Sequence, residues 1–158
     1  MFFYIVNIMK RLSSFIASFI FSAVCVAQTV DSDSIFHTYI YNDEYKVYFD
    51  IDFYNESVQV PGQDIFGAVP GYFGAMRDSR KWLVTSAKIS GRNRADLDIV
   101  NDYGSEDLTA TLQYNSSDNT YTLRQTGGSR LKIVVNRKWV KIPTELVFVR
   151  HERVADKW

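Results

Sequence analysis

The chain has one cysteine, Cys25, two histidines, His37 and His151, and three prolines in 158 residues. A lone cysteine excludes a disulfide framework, and with only two histidines beside it there is no Cys/His zinc site. So few prolines, with eight glycines, exclude collagen-like and proline-rich classes. Net charge is also missing: 18 Lys+Arg offset 18 Asp+Glu, so the overall positive field of a nucleic-acid binder is absent and no nucleic-acid partner is expected. Histidine-assisted nucleophilic catalysis could draw only on His37 or His151, and no Gly-x-Ser-x-Gly elbow is present. What remains is 46% hydrophobic and 23% charged residues over a length that suits one globular domain.

The first residues read as an address. Lys10-Arg11 precedes the apolar run Phe15 to Val24, which is shorter than the about 20 residues needed to span a bilayer and fits a secretory leader. Met9 is the better start, because residues 1–8 place apolar residues ahead of the charges. Small residues at Cys25 and Ala27 predict cleavage before Gln28, giving a leader over 1–27 and a single β domain over 28–158. The expected location is therefore periplasmic or secreted. Lipidation of Cys25, and hence a membrane anchor, is the alternative; Val24 stands where a lipoprotein signal has Gly, Ala or Ser.

The remainder reads as strands. Ile35 to Tyr41 is rich in β-branched and aromatic residues, and Tyr45, Val47, Phe49, Ile51 and Phe53 alternate with Lys46, Tyr48, Asp50, Asp52 and Tyr54. Gly and Pro between Val58 and Met76 predict an irregular crossing and one bent strand. Strands follow over Lys81 to Ile89, around Leu97, Leu108 to Leu112, Tyr121 to Leu123, Leu131 to Val135, and Glu145 to Arg150. The expected inward set is Phe49, Ile51, Phe53, Ala95, Leu97, Ile99, Leu108, Ala110, Leu112, Leu123, Leu131 and Ile133. Eight or nine short antiparallel strands with turn-length loops predict an all-β, single-domain up-and-down barrel, with a two-sheet β-sandwich as the alternative. Residues 31–64 carry eight acids and one base, and residues 124–150 seven bases and one acid, which favours closure by pairing of the first and last strands.

Four groups of residues carry chemistry. Asp50 and Asp52 share one strand face at about 7 Å spacing, which a carboxylate-dependent glycoside hydrolase could use. On a flat face water would keep both ionised, and with Tyr48 and Tyr54 they make a better contact surface for a protein or glycan. Oxygen donors crowd the loop from Asn101 to Asp107, where Asp102, Glu106 and Asp107 are a weak calcium set lacking EF-hand spacing, and where Tyr103 adds an aromatic ring. Arg137 to Lys141, with Arg130 and Lys132, interleaves bases with Trp139, and pairing with the acidic first strands competes with contact to an anionic glycan. Small Ala95 and Ala110 among large residues leave open a cavity for an apolar ligand.

In size, leader and strand count the chain resembles the calycin-type barrels, such as lipocalins and the small barrel-shaped lysozyme inhibitors. The Gly-x-Trp opening motif of lipocalins is absent from Ile35 to Tyr41, so no family residue carries over. The expectation is an exported, monomeric, non-catalytic binding protein without a cofactor. It would contact a macromolecule or glycan through Tyr48, Asp50, Asp52, Tyr54, Tyr103, Glu106, Asp107 and Trp139. A small-apolar-ligand carrier is the second reading and the hydrolase a third.

Overall fold

The computed structural model describes residues 34–153; the expected leader, Met9, Cys25 and Gln28 lie outside the described residues. Among the described residues twelve strands form: β1 (His37–Asn42), β2 (Val47–Asp52), β3 (Val58–Gln59), β4 (Ala68–Val69), β5 (Gly71–Ala75), β6 (Asp78–Ser90), β7 (Arg94–Asn101), β8 (Asp107–Asn115), β9 (Thr120–Gly128), β10 (Lys132–Val135), β11 (Lys138–Lys141) and β12 (Glu145–Arg150). Eight of them, in the order β1-β2-β5-β6-β7-β8-β9-β12, form one antiparallel up-and-down wall. Pairing of β12 with β1 closes it, with Ile40 opposite Arg150 and Tyr41 opposite Val149. Closure removes the two edges that an open sheet would leave for aggregation.

Register shifts at Phe73/Ala75, Val84/Ser86 and Thr109/Ala110 supply the local bends that curl the sheet into a barrel. The alternation read from the sequence sets the inside: every residue of the expected inward set is buried in one cluster. Phe36, Phe49, Phe73, Trp82, Tyr121 and Phe148 fill the interior with rings, each at most 1% exposed. Fully burying a large apolar side chain contributes roughly 1.5–3 kcal/mol, so this plug is the main source of stability.

The other two strand pairs are excursions. The β10–β11 ribbon, which the spacing places in the wall, is a separate two-stranded sheet. Its strand period is right but its partners are not: Leu131, Ile133 and Ile142 turn into the interior cluster instead of extending the wall. The short β3–β4 pair lies against the outside, where Val58 and Val60 join Tyr39, Tyr48, Tyr72 and Leu83 in a second buried cluster.

This outer layer corrects the reading of β2. All six residues of β2 are buried, so Tyr48, Asp50 and Asp52 are not a solvated contact face. Gly74 makes the packing possible, since a Cβ there would lie 2.5 Å from the Tyr48 hydroxyl oxygen. Strand boundaries also move: β6 begins at Asp78, making Met76-Arg77 the turn, and β1 begins at His37.

Candidate functional site

The up-and-down path brings the start of β6, the end of β7, the start of β8 and the end of β9 to one mouth of the barrel. Arg80 and Lys81 lie on β6 there, Asn101 ends β7, residues 102–106 form the β7–β8 connection, and β10–β11 hangs from β9.

Two side chains of β6 hold the ribbon. Antiparallel pairing bonds Ile142 N–H to Leu131 O, so the N–H and C=O groups of Lys132 and Val134 point away from β11. Asp78 Oδ2 accepts from Val134 N–H at 2.7 Å, and Trp82 Nε1 donates to Lys132 O at 3.3 Å. The edge of β10 is thus met by side chains in place of a neighbouring strand. The other oxygen of buried Asp78 accepts from Arg80 N–H at 3.2 Å and from Arg80 Nη1 at 2.9 Å, so one carboxylate orients both the ribbon and the guanidinium.

A row of rings crosses the mouth. Trp82 meets Tyr103 edge-on at 5.9 Å between centroids, and Tyr103 meets Trp139 at 5.5 Å. The Arg80 guanidinium lies 5.1 Å from the Trp139 ring and 5.8 Å from the Tyr103 ring, and Lys132 Nζ lies 4.9 Å from Trp139. Buried Trp82 anchors the row, whereas Trp139 at its end is 51% exposed. Beside it opens a cleft of about 430 Å³ lined by Pro61, Gln63, Ser79, Arg80, Asp102 and Tyr103, among others.

The polar atoms of this cleft are only partly satisfied. Asp102 Oδ2 accepts from Gln63 Nε2 at 2.8 Å, but its Oδ1, shielded from solvent, accepts nothing among the described residues. The Tyr103 hydroxyl makes no well-aligned hydrogen bond, its polar neighbour being the Asn101 side chain. Burial pushes the Tyr103 phenol up to about 12, and Glu106 adds to the rise while Asn101 and Arg80 oppose it. It therefore keeps its proton, and remains a donor, at any physiological pH. Stranded groups of this kind cost free energy.

Of the residues singled out from the sequence, Tyr103, Glu106 and Trp139 come together here. Glu106 bonds Lys132 Nζ at 2.8 Å and Asn101 Nδ2 at 3.0 Å. The calcium set does not assemble: Asp102 faces Gln63, Glu106 faces Lys132, and Asp107 belongs to a different cleft beside Thr109 and Gly128. Among the described residues no three His, Cys, Asp or Glu are grouped to hold a metal.

The second set disperses. Asp50 takes Arg153 in a bidentate pair, both contacts at 2.7 Å. Asp52 organises the following turn, accepting from Tyr54 N–H, Asn55 N–H and Nδ2, and Ser57 Oγ. Burial acts to raise the Asp52 pKa, but Ser57, Asn55 and His37 together hold it below the usual carboxylate value. Tyr54 packs beside Phe36 at the opposite end of the barrel from the ribbon. The basic stretch does not pair with the acidic first strands either. Lys132 takes Glu106, Arg130 donates to Ile142 O, and Arg137, Lys138 and Lys141 form no ion pair among the described residues.

Arg80 and Gln63 are not among the site residues read from the sequence. Arg80 follows a turn and Gln63 lies in a loop, and neither position carries a periodic signal.

No protein-family model, curated protein or solved structure matches the chain. The class it defines is a ring-filled, closed eight-stranded up-and-down barrel bearing a cationic and aromatic mouth.

Proposed function

We propose that this is an exported, non-catalytic binding protein that takes a glycan chain at the ribbon-bearing mouth. The observation that carries the reading is the exposed ring of Trp139, in line with Tyr103 and next to a cleft with polar walls. Sugars offer an apolar ring face and a rim of hydroxyls, and so need an aromatic platform beside fixed donors and acceptors. Gln63, Ser79 and Arg80, which line the cleft, supply those groups. A non-catalytic role is supported by the commitment of Asp50 to Arg153 and of Asp52 to its turn. The ring-filled interior gives no support to the carrier reading.

The test is a glycan array followed by calorimetry on the hits, with wild type and Trp139→Ala. The expected result is saccharide binding that weakens about tenfold in the variant, the scale of one aromatic contact. Absence of saccharide binding, or binding indifferent to Trp139→Ala, overturns the reading.

A further inference from the structure

We propose that the glycan is acidic: a polysaccharide bearing carboxylate or sulfate groups, whose hydroxyl-rich portion enters the cleft while its charges lie along β10–β11. The proposal rests on the reading of the mouth as a glycan site and names the chemistry of its ligand.

The ribbon register makes the argument. Lys132 pairs with Lys141 and Val134 with Trp139, and side chains of paired residues project from the same face of an antiparallel ribbon. The opposite face carries Ile133 and Val140, both packed on the barrel core. Lys132, Trp139 and Lys141 therefore share the face turned from the core, and Arg130 follows in phase with Lys132. Residues 130–141 contain five bases and no acid, namely Arg130, Lys132, Arg137, Lys138 and Lys141. Only Lys132 is in an ion pair among the described residues, with Glu106. Arg137 sits in the turn at the ribbon tip with φ +64°, flanked by the two exposed residues Asn136 and Lys138.

This charge is concentrated on a protein whose overall formal charge is zero, so it is a local feature and not a by-product of composition. It is also polarised. Of the acids at the mouth, Asp78 is held by Arg80, Glu106 is held by Lys132, Asp102 lies at the cleft, and Asp107 lies in a separate cleft beside Thr109 and Gly128. An anionic group in the cleft would meet Asp102, whereas one on the outer face of the ribbon would lie over Lys141 and Arg130. The cleft suits hydroxyls and the ribbon suits anions. Arg80 and Tyr103 line the cleft and also touch Trp139, which joins the two regions into one track.

The experiment measures affinity of the folded domain for size-matched polygalacturonate, dextran sulfate, neutral dextran and polyglutamate, in 0.01 M and 0.15 M salt. The variants are Arg130→Gln/Lys141→Gln, on the face that carries Trp139, and Trp139→Ala, all at exposed positions and all checked by circular dichroism. The inference expects one or both acidic glycans to bind more tightly than dextran. It also expects binding to weaken as screening shortens from about 30 Å to about 8 Å. The double variant should bind acidic glycan about fivefold less tightly, equal to about 1 kcal/mol for two exposed charges. The arm that binds better distinguishes carboxylate from sulfate. Equal affinity for dextran and acidic glycans, with an indifferent double variant, overturns this inference and leaves the glycan reading intact. Polyglutamate binding as tightly as the best glycan, and surviving Trp139→Ala, overturns it in favour of an acidic protein partner. If no glycan binds, both readings fall.

Discussion

Replacing Tyr121 by phenylalanine removes one oxygen from a fully buried position and tests how the barrel is fastened. The Tyr121 hydroxyl donates to Ile35 O at 2.7 Å and accepts from Arg150 Nε at 3.0 Å, tying the segment before β1 to β9 and β12. In the variant Ile35 O loses that donor, while Arg150 still reaches Ser34 O at 3.0 Å. Stranding a buried carbonyl costs about 1–3 kcal/mol, so a loss of about 2 kcal/mol is expected. For a domain of this size that corresponds to a fall in Tm of roughly 6–10 °C. A second signature follows from the phenol. Burial pushes Tyr121 up to about 12, with Arg150 opposing, against 10.0 for a free tyrosine. A raised pKa means that the stabilisation is complete below pH 10 and is lost as the pH climbs towards 12. By pH 11 the wild type should have lost about 1.4 kcal/mol through this group, a loss the variant cannot show. Urea titrations at pH 8 and pH 11 measure both quantities. A variant as stable as wild type, or a difference that is unchanged between the two pH values, refutes the reasoning.

Gly74→Ala would place a methyl 2.5 Å from the Tyr48 hydroxyl oxygen inside the outer cluster, and should cost about 1–3 kcal/mol in chemical denaturation. Asp52→Asn should flatten the acid limb of the stability curve. The wild-type carboxyl, held below 3.8, contributes stability above that value and loses it as the pH falls through its folded pKa. Ile133→Ala should cost about 2–5 kcal/mol if the ribbon belongs to the core, against near zero for a loosely attached hairpin. Asp78→Ala should weaken glycan binding as well as stability, because it frees both Arg80 and Val134; retention of full affinity would show that the ribbon is held by other contacts.

Much of the fold was legible because the strand period of two leaves a direct trace. Ala95, Leu97 and Ile99, and Leu108, Ala110 and Leu112, alternate with polar residues, and all six face inward. Closure was foreseen from the opposite charges of the two ends, yet β1 and β12 meet through Ile40, Tyr41, Val149 and Arg150, without the expected ladder of ion pairs. The outer layer was harder to read. Alternation says that Tyr48, Asp50 and Asp52 share a face, but not that something covers it, and the cover comes from β3–β4, two-residue strands too short to show a period. Val58 and Val60 were the available signal. The ribbon was read as wall because its strands have ordinary length and composition. Only the tertiary partners Asp78 and Trp82 distinguish it. Trp139 and Tyr103 stood out as aromatics in polar surroundings, whereas Arg80 gains its place only when β6, the β7–β8 loop and the ribbon converge.

The most direct measurement of where this protein binds is amide and side-chain chemical-shift mapping during titration with an acidic oligosaccharide. Perturbations should concentrate at Gln63, Arg80, Asp102, Tyr103, Trp139 and Lys141, with the Trp139 indole N–H moving most. Shifts gathered instead around His37, Asp52, Ser57 and Tyr72, on the far side of β2, would contradict the account.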